Sequence, residues 1–132
     1  MRKHTNLTAA IKTLDNLRKG GRLSNAEAVI GGLLQIKPIV HLVESGKIEA
    51  AGKVRTFKKA IQFLVDTAKN ANLDESYEIC VLNMENAEDA ATLKSALKEI
   101  YQNIKIHVSP LSLVVSAHVG PGAVAVSWIK NK

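Results

Sequence analysis

Apolar positions along the chain fall into short runs with two different periods, separated by glycine and proline. Leu7, Ile11, Leu14 and Leu17 keep the three-to-four spacing of one helical stripe, and Gly20-Gly21 ends it just after Arg18 and Lys19, where a helix favours cations. Ser24 with Glu27 three residues on is a capping-box pattern and predicts a second helix to about Leu34. Gly31-Gly32 inside it costs up to about 1 kcal/mol for each glycine relative to Ala, which close packing, or failing that the approach of a ligand, would justify. Ile36 to Leu42 and Lys47 to Gly52 read as a hairpin around Ser45-Gly46, with Pro38 confining its strand to an edge or a strand start.

The second half alternates more regularly. Phe57, Ile61, Leu64 and Ala68 form the buried stripe of a helix that begins just after Arg55. Glu78 to Leu82 reads as a strand. Asn86 and Asp89 open another helix with the stripe Ala90, Leu93, Leu97 and Ile100, and Ile104 to Val108 is again a strand. Ser109-Pro110 fits an N-cap followed by proline at the first helical position, so the run to His118 reads as a short helix, with a strand as the alternative its length allows. Ala123 to Ile129 is a final strand. These elements predict one α+β (α/β-like) domain over residues 1–132: a mixed small sheet with packed helices and a helical N-terminal part.

Composition narrows the class. With 132 residues, 46% hydrophobic and 23% charged, the chain is long enough to bury a core, and it has no stretch of about 18 uncharged apolar residues that could span a membrane. The start Met1-Arg2-Lys3-His4 leads into polar Thr5-Asn6 rather than a signal-peptide core, which points to the cytoplasm. The single cysteine, Cys80, has no disulfide partner and reads as a small buried residue. Charge is uneven: residues 1–59 carry twelve Lys and Arg against four Asp and Glu, a balance of +8, and the remainder carries six against eight, a balance of −2, which returns the net +6. A basic half fits an anionic ligand, an acidic partner or nucleic acid. Aromatic content of 4% disfavours base stacking on single strands.

No nucleophile elbow, phosphate loop or dinucleotide fingerprint occurs, so the chain is not expected to be an enzyme; Gly120-Pro121-Gly122 lacks the third glycine and the strand-turn-helix setting. His4, His41, His107 and His118 are scattered, and with one cysteine they give no metal-ligand spacing. Two residues stand out instead. His118 closes an apolar run from Leu113 and precedes Val119-Gly120-Pro121-Gly122, where missing side chains let backbone or a ligand come close. Arg55, with Lys58 and Lys59, crowds a helix N-terminus, where free amides, the dipole and cations together suit a carboxylate or phosphate. The plainer alternatives are a core histidine satisfied by backbone, and an arginine covering apolar surface with its stem.

Four segments carry a family resemblance: Leu17-Arg18-Lys19-Gly20-Gly21-Arg22-Leu23-Ser24, Gly32-Leu33-Leu34-Gln35-Ile36-Lys37-Pro38-Ile39, Gly52-Lys53-Val54-Arg55 and Ala117-His118-Val119-Gly120-Pro121-Gly122-Ala123. In this order and spacing the chain resembles the C-terminal domain of the DegV family of bacterial fatty-acid-binding proteins. The resemblance implies a carrier, with no cofactor and no metal, that buries a long-chain fatty acid and presents it to a fatty acid kinase for phospholipid synthesis. It places the carboxylate-neighbouring histidine on His118 and the family's arginine on Arg55; Gly32, Gly120 and Gly122 are ligand-lining or backbone-approach candidates from the glycine pattern itself. The family's preceding α/β domain has no counterpart here. That implies a missing N-terminal domain and an apolar cleft face that favours dimerisation or partial lipid binding. The alternative from charge alone is an anion-binding or nucleic-acid-interacting regulatory module using residues 1–59.

Overall fold

The computed structural model describes residues 7–11, 37–42, 48–112 and 119–131. Its elements run β1 (Leu7–Ala10), β2 (Lys37–Leu42), β3 (Ile48–Val54), α1 (Phe57–Asn70), β4 (Tyr77–Asn83), α2 (Ala87–Ile100), β5 (Lys105–Pro110) and β6 (Val124–Lys130). The strands form one six-stranded sheet in the order β3-β2-β1-β6-β4-β5. All neighbours are antiparallel except β4 and β5, the two strands joined through α2. The fold is therefore mixed α+β, as the sequence pattern implies.

Each helix forms where its stripe predicts. Thr56 caps α1, its hydroxyl accepting the Lys59 amide at 3.1 Å, and Ala60, Ile61, Leu64, Val65 and Ala68 turn inward. Asn86 caps α2, whose Ala90, Leu93 and Leu97 are fully buried. Both stripes lie on one sheet face against Ala10, Ile39, Ile79, Val81, Ile106, Val124 and Val126. Full burial of a side chain such as Leu64 or Leu93 contributes about 1.5–3 kcal/mol relative to exposure. At the far ends of the helices the Tyr101 hydroxyl donates to the Ala68 carbonyl at 2.7 Å and accepts the Leu73 amide at 3.2 Å, which ties the two helix C-termini together.

Two expectations are overturned. Leu7–Ala10 is a strand, not the start of a helix, and it sits inside the sheet between β2 and β6. Its residues are buried on both faces, and a run buried all round carries no period that separates strand from helix. Ser109-Pro110 is not the start of a helix: both residues belong to β5 and pair with Leu82 and Asn83, while residues 113–118, the rest of the run to His118, lie outside the described residues. Pro110 is tolerated there because β5 ends the sheet and needs no second ladder. Pro38 stands near the start of β2, as the sequence allows, but β2 is interior, and the Pro38 carbonyl accepts the Ile11 amide at 2.9 Å. The expected helices over 12–34 lie outside the described residues, as does the hairpin turn at 43–47; its two strands, β2 and β3, pair as expected.

Gly52 in β3 has a packing reason for lacking a side chain. A Cβ there would stand 2.8 Å from the Phe63 ring of α1. Gly52→Ala should lower stability by about 1 kcal/mol, the low end of the overpacking range because Phe63 is half-buried and its ring can shift. Urea denaturation should show this loss, and Gly52→Ala combined with Phe63→Leu should lose less than the two single changes added.

Candidate functional site

The strand registers bring several chain segments to one end of the sheet. Ala10 lies beside Ile39 and Val124, Lys37 beside Val54, and Asn83 beside both Val124 and Pro110. Consequently Arg55 and the start of α1, the loop into α2, the end of β5 and the turn before β6 all gather at the same rim. Arg55 follows β3 and the Gly120–Gly122 turn precedes β6. With strand spacings of about 4.8 Å, their backbones are about 14 Å apart across β2 and β1.

The turn is held firmly. Gly120 and Gly122 have φ of 83° and 89°, a region that side-chain-bearing residues rarely enter. The Gly122 amide donates to the Met84 carbonyl at 2.8 Å, and the Met84 amide donates to the Ala123 carbonyl at 2.9 Å. The Asn86 side-chain amide donates to the Gly122 carbonyl at 2.8 Å and to the Asp89 carboxylate at 2.9 Å, while its oxygen accepts the Asp89 amide at 3.3 Å. Val119 and Gly120 are buried. His118 and Gly32 lie outside the described residues.

Arg55, Lys58 and Lys59 are exposed at the start of α1, whose first turn holds no acidic residue. Glu88 and Asp89 occupy the first turn of α2. One corner of the rim is thus basic and another acidic. Arg55 is not among the residues that line the cleft described next.

The sheet face opposite the two helices carries a second apolar cluster of Leu7, Ala9, Ile11, Val40, Leu111, Val119, Ala123 and Ala125, extended by Leu42, Leu82 and Met84. A cleft of about 380 Å³ opens on this face, lined by Leu7, Leu42, Cys80, Leu82, Pro110, Leu111, Ser112 and Ser127. It crosses the strands from the Leu7–Leu42 pair to the end of β5, so one end reaches the rim where the glycine turn sits. Among the described residues no group of three or more His, Cys, Asp or Glu could hold a metal ion.

Cys80 is half-buried on the cleft wall rather than enclosed in the core, because its strand turns alternate side chains to the open face. Burial pushes its thiol pKa up and the Glu78 charge adds to this, while a hydrogen bond with Ser109 opposes it. Sequence reasoning missed the cleft. Its members Leu7 and Pro110 were assigned to helices, and the alternation of β6, which turns Ser127 away from Val126, was the available signal.

Fold and cleft together define a mixed sheet domain covered by helices on one face and bearing an apolar groove on the other. The family model described as Uncharacterised protein, DegV family, matches residues 1–131. A DegV domain-containing protein of Streptococcus pneumoniae is 35% identical over 119 residues, 90% of this chain and 42% of that protein. The chain belongs to the DegV family. The crystal structure of a fatty acid binding DegV family protein from Streptococcus agalactiae matches with a TM-score of 0.82 at 36% identity, covering 96% of this chain and 44% of that one. The Streptococcus pneumoniae Fatty Acid Kinase (Fak) B3 protein, loaded with linoleic acid, matches at 0.79 and 25% identity, covering 96% and 44%. The chain therefore spans less than half the length of these relatives.

The thiol reports on the cleft. With its pKa raised, Cys80 should stay neutral and react slowly with iodoacetamide near pH 8, and its rate should still be climbing above the ordinary thiol pKa of about 8.5. An alkylation rate equal to that of a free thiol across this range would contradict the placement.

Proposed function

We propose that this chain is the acyl-chain-holding part of a fatty acid carrier, which presents a long-chain fatty acid to a kinase and does not itself catalyse. The observation that carries the reading is the apolar cleft on the sheet face away from the helices, ending at the rim that bears the glycine turn. A guest along Leu7, Leu42, Leu82 and Leu111 replaces water on apolar surface, and each buried methylene contributes about 0.8 kcal/mol. Chain burial supplies affinity, and the polar groups at the rim set direction. Support also comes from the fatty acid binding of the Streptococcus agalactiae protein and from the linoleic acid held by the pneumococcal Fatty Acid Kinase (Fak) B3 protein.

In this reading His118, next in the chain to buried Val119, bonds the carboxylate, and Arg55 offsets its charge from the basic corner. The glycine-rich turn admits the head group close to backbone. The rest of the carrier is supplied by sequence such as that which the relatives have beyond the matched region, and it covers the cleft. Where nothing covers it, the same face pairs two copies of the chain.

Affinity should climb about fourfold for each methylene from laurate towards palmitate, the equivalent of about 0.8 kcal/mol, when measured by calorimetry on the natural full-length protein. Leu82→Asp should abolish this dependence by placing a charge in the groove. His118→Ala should weaken fatty acid retention, and Arg55→Ala should do so less and only at low salt. Equal binding of all chain lengths, or binding to duplex nucleic acid that falls steeply with salt, would turn the assignment to an anion-binding module.

A further inference from the structure

We propose that the Leu7–Leu42 pair is the methyl-end stop of the groove and that Leu42 sets the acyl-chain length the carrier prefers; this rests on the reading of the groove as the acyl-chain site. The observation is a row of side chains that the strand registers line up across the sheet. Leu42 faces Leu7, and because Thr8 pairs with Val126, Leu7 stands level with Ser127. Ser127 in turn faces Cys80. All four line the groove, so its floor runs straight across β2, β1, β6 and β4.

Length and volume agree on what this floor can carry. Three strand spacings of about 4.8 Å span about 14 Å. An extended chain advances about 3.3–3.6 Å for every three bonds, so about twelve methylenes cover that distance. The groove's volume of about 380 Å³ gives the same answer, since a methylene takes up about as much room as a water molecule, roughly 30 Å³. One further spacing, to β5, takes about four more carbons and ends at Pro110, Leu111 and Ser112 beside the rim. An acid the size of palmitate therefore reaches from the rim to Leu42.

Polarity gives the guest its direction. Among the described residues, the β1–β2 end of the groove offers only leucine side chains. The other end offers the Cys80 thiol, the Ser127 and Ser112 hydroxyls and, next in the row beyond Cys80, His107 with the Glu78 carboxylate 3.0 Å from its ring. A carboxylate over Leu7 and Leu42 would be stripped of water with nothing in return, whereas a methyl group loses nothing there. Among the described residues no lining side chain comes from β3, so Leu42 is the outermost. It is also only half-buried, so a change in its size alters the groove before it disturbs the core.

The ratio of palmitate to decanoate affinity, measured by calorimetry on the natural full-length protein, reads the stop. Decanoate is too short to reach Leu42 from the rim. Leu42→Trp fills the far end and should lower the ratio about fourfold for each methylene the ring displaces, hence at least about tenfold for two. Leu42→Ala opens that end and should raise the affinity for stearate relative to palmitate about fourfold or more. Cys80→Phe adds bulk where both acids cross, so it should weaken both and keep their ratio within about twofold of the parent's.

A ratio that Leu42→Trp leaves as in the parent, with the thermal transition still cooperative, overturns the stop. If tryptophan prevents folding, Leu42→Ala decides, and an unmoved stearate-to-palmitate ratio overturns it. Equal losses of both acids in Leu42→Trp, beside a lowered ratio in Cys80→Phe, overturn the direction by placing the carboxylate over the leucines. A parent protein whose affinity does not rise with chain length overturns the acyl-chain reading itself, and the stop with it.

Discussion

A six-stranded sheet has two faces to keep from water, and the two described helices α1 and α2 pack on only one of them. The constraint governs what the molecule can be. β1 and β6, at the middle of the sheet, send apolar or small side chains to both sides: Ala10, Val124 and Val126 towards the helices, Leu7, Ala9 and Ala125 away from them. A sheet built this way cannot leave its second face to solvent without exposing a contiguous apolar area. A groove on that face is therefore a place where something oily belongs, whether chain or guest. The groove's polar atoms, on Cys80, Ser112 and Ser127, are few and small, so desolvating its lining costs little compared with desolvating a charged site.

The same sheet decides where chemistry can gather. Antiparallel pairing sends β1, β3 and β4 to finish at the rim where β2 and β6 begin, and the parallel β4–β5 pair adds a further strand end there. Two helix N-termini face that rim with opposite company, exposed cations at α1 and carboxylates at α2. The carboxylates of α2 suit the helix dipole and are absorbed by capping, as the Asn86–Asp89 exchange shows. The cations of α1 oppose its dipole, and its first turn holds no acidic residue to offset them. Surplus positive potential at the rim is what an anionic head group would find attractive.

How far the sequence discloses this depends on whether a segment is half-buried or fully buried. Helices α1 and α2 were legible because each has one wet face, so Phe57–Ala68 and Ala90–Leu97 show a stripe and Thr56 and Asn86 an N-cap. Strand β4 was legible as a short apolar run and β6 from its alternation. β1 was not, since Leu7-Thr8-Ala9-Ala10 is enclosed on both faces and its alanines favour a helix until strand pairing overrides them. Pro110 misled for a related reason: a missing amide marks a helix start or a sheet edge equally well. Of the site, the glycine turn was visible as a motif, while its anchoring to Met84 and Asn86 was not, because pairings between loops 36 residues apart leave no local pattern. The groove was illegible for the same reason, being made of a few residues each from five strands and the segment after β5.

Distance separates the parts that Arg55 and the glycine turn can play. Arg55 and the glycine turn share a rim yet stand about 14 Å apart in backbone, across two intervening strands. At physiological ionic strength the screening length is about 8 Å, so an exposed guanidinium acts on a carboxylate at the turn mainly as a weak field unless its stem carries it inward. The turn, by contrast, is fixed by three hydrogen bonds that tie Gly122 and Ala123 to Met84 and Asn86. In the proposed carrier, attraction from afar, contact at the head group and burial of the tail would thus come from three different places on one sheet. Only the last scales with chain length, so affinity and orientation can be altered separately, a useful property in a protein that must hold a lipid and then release its acid end to a partner.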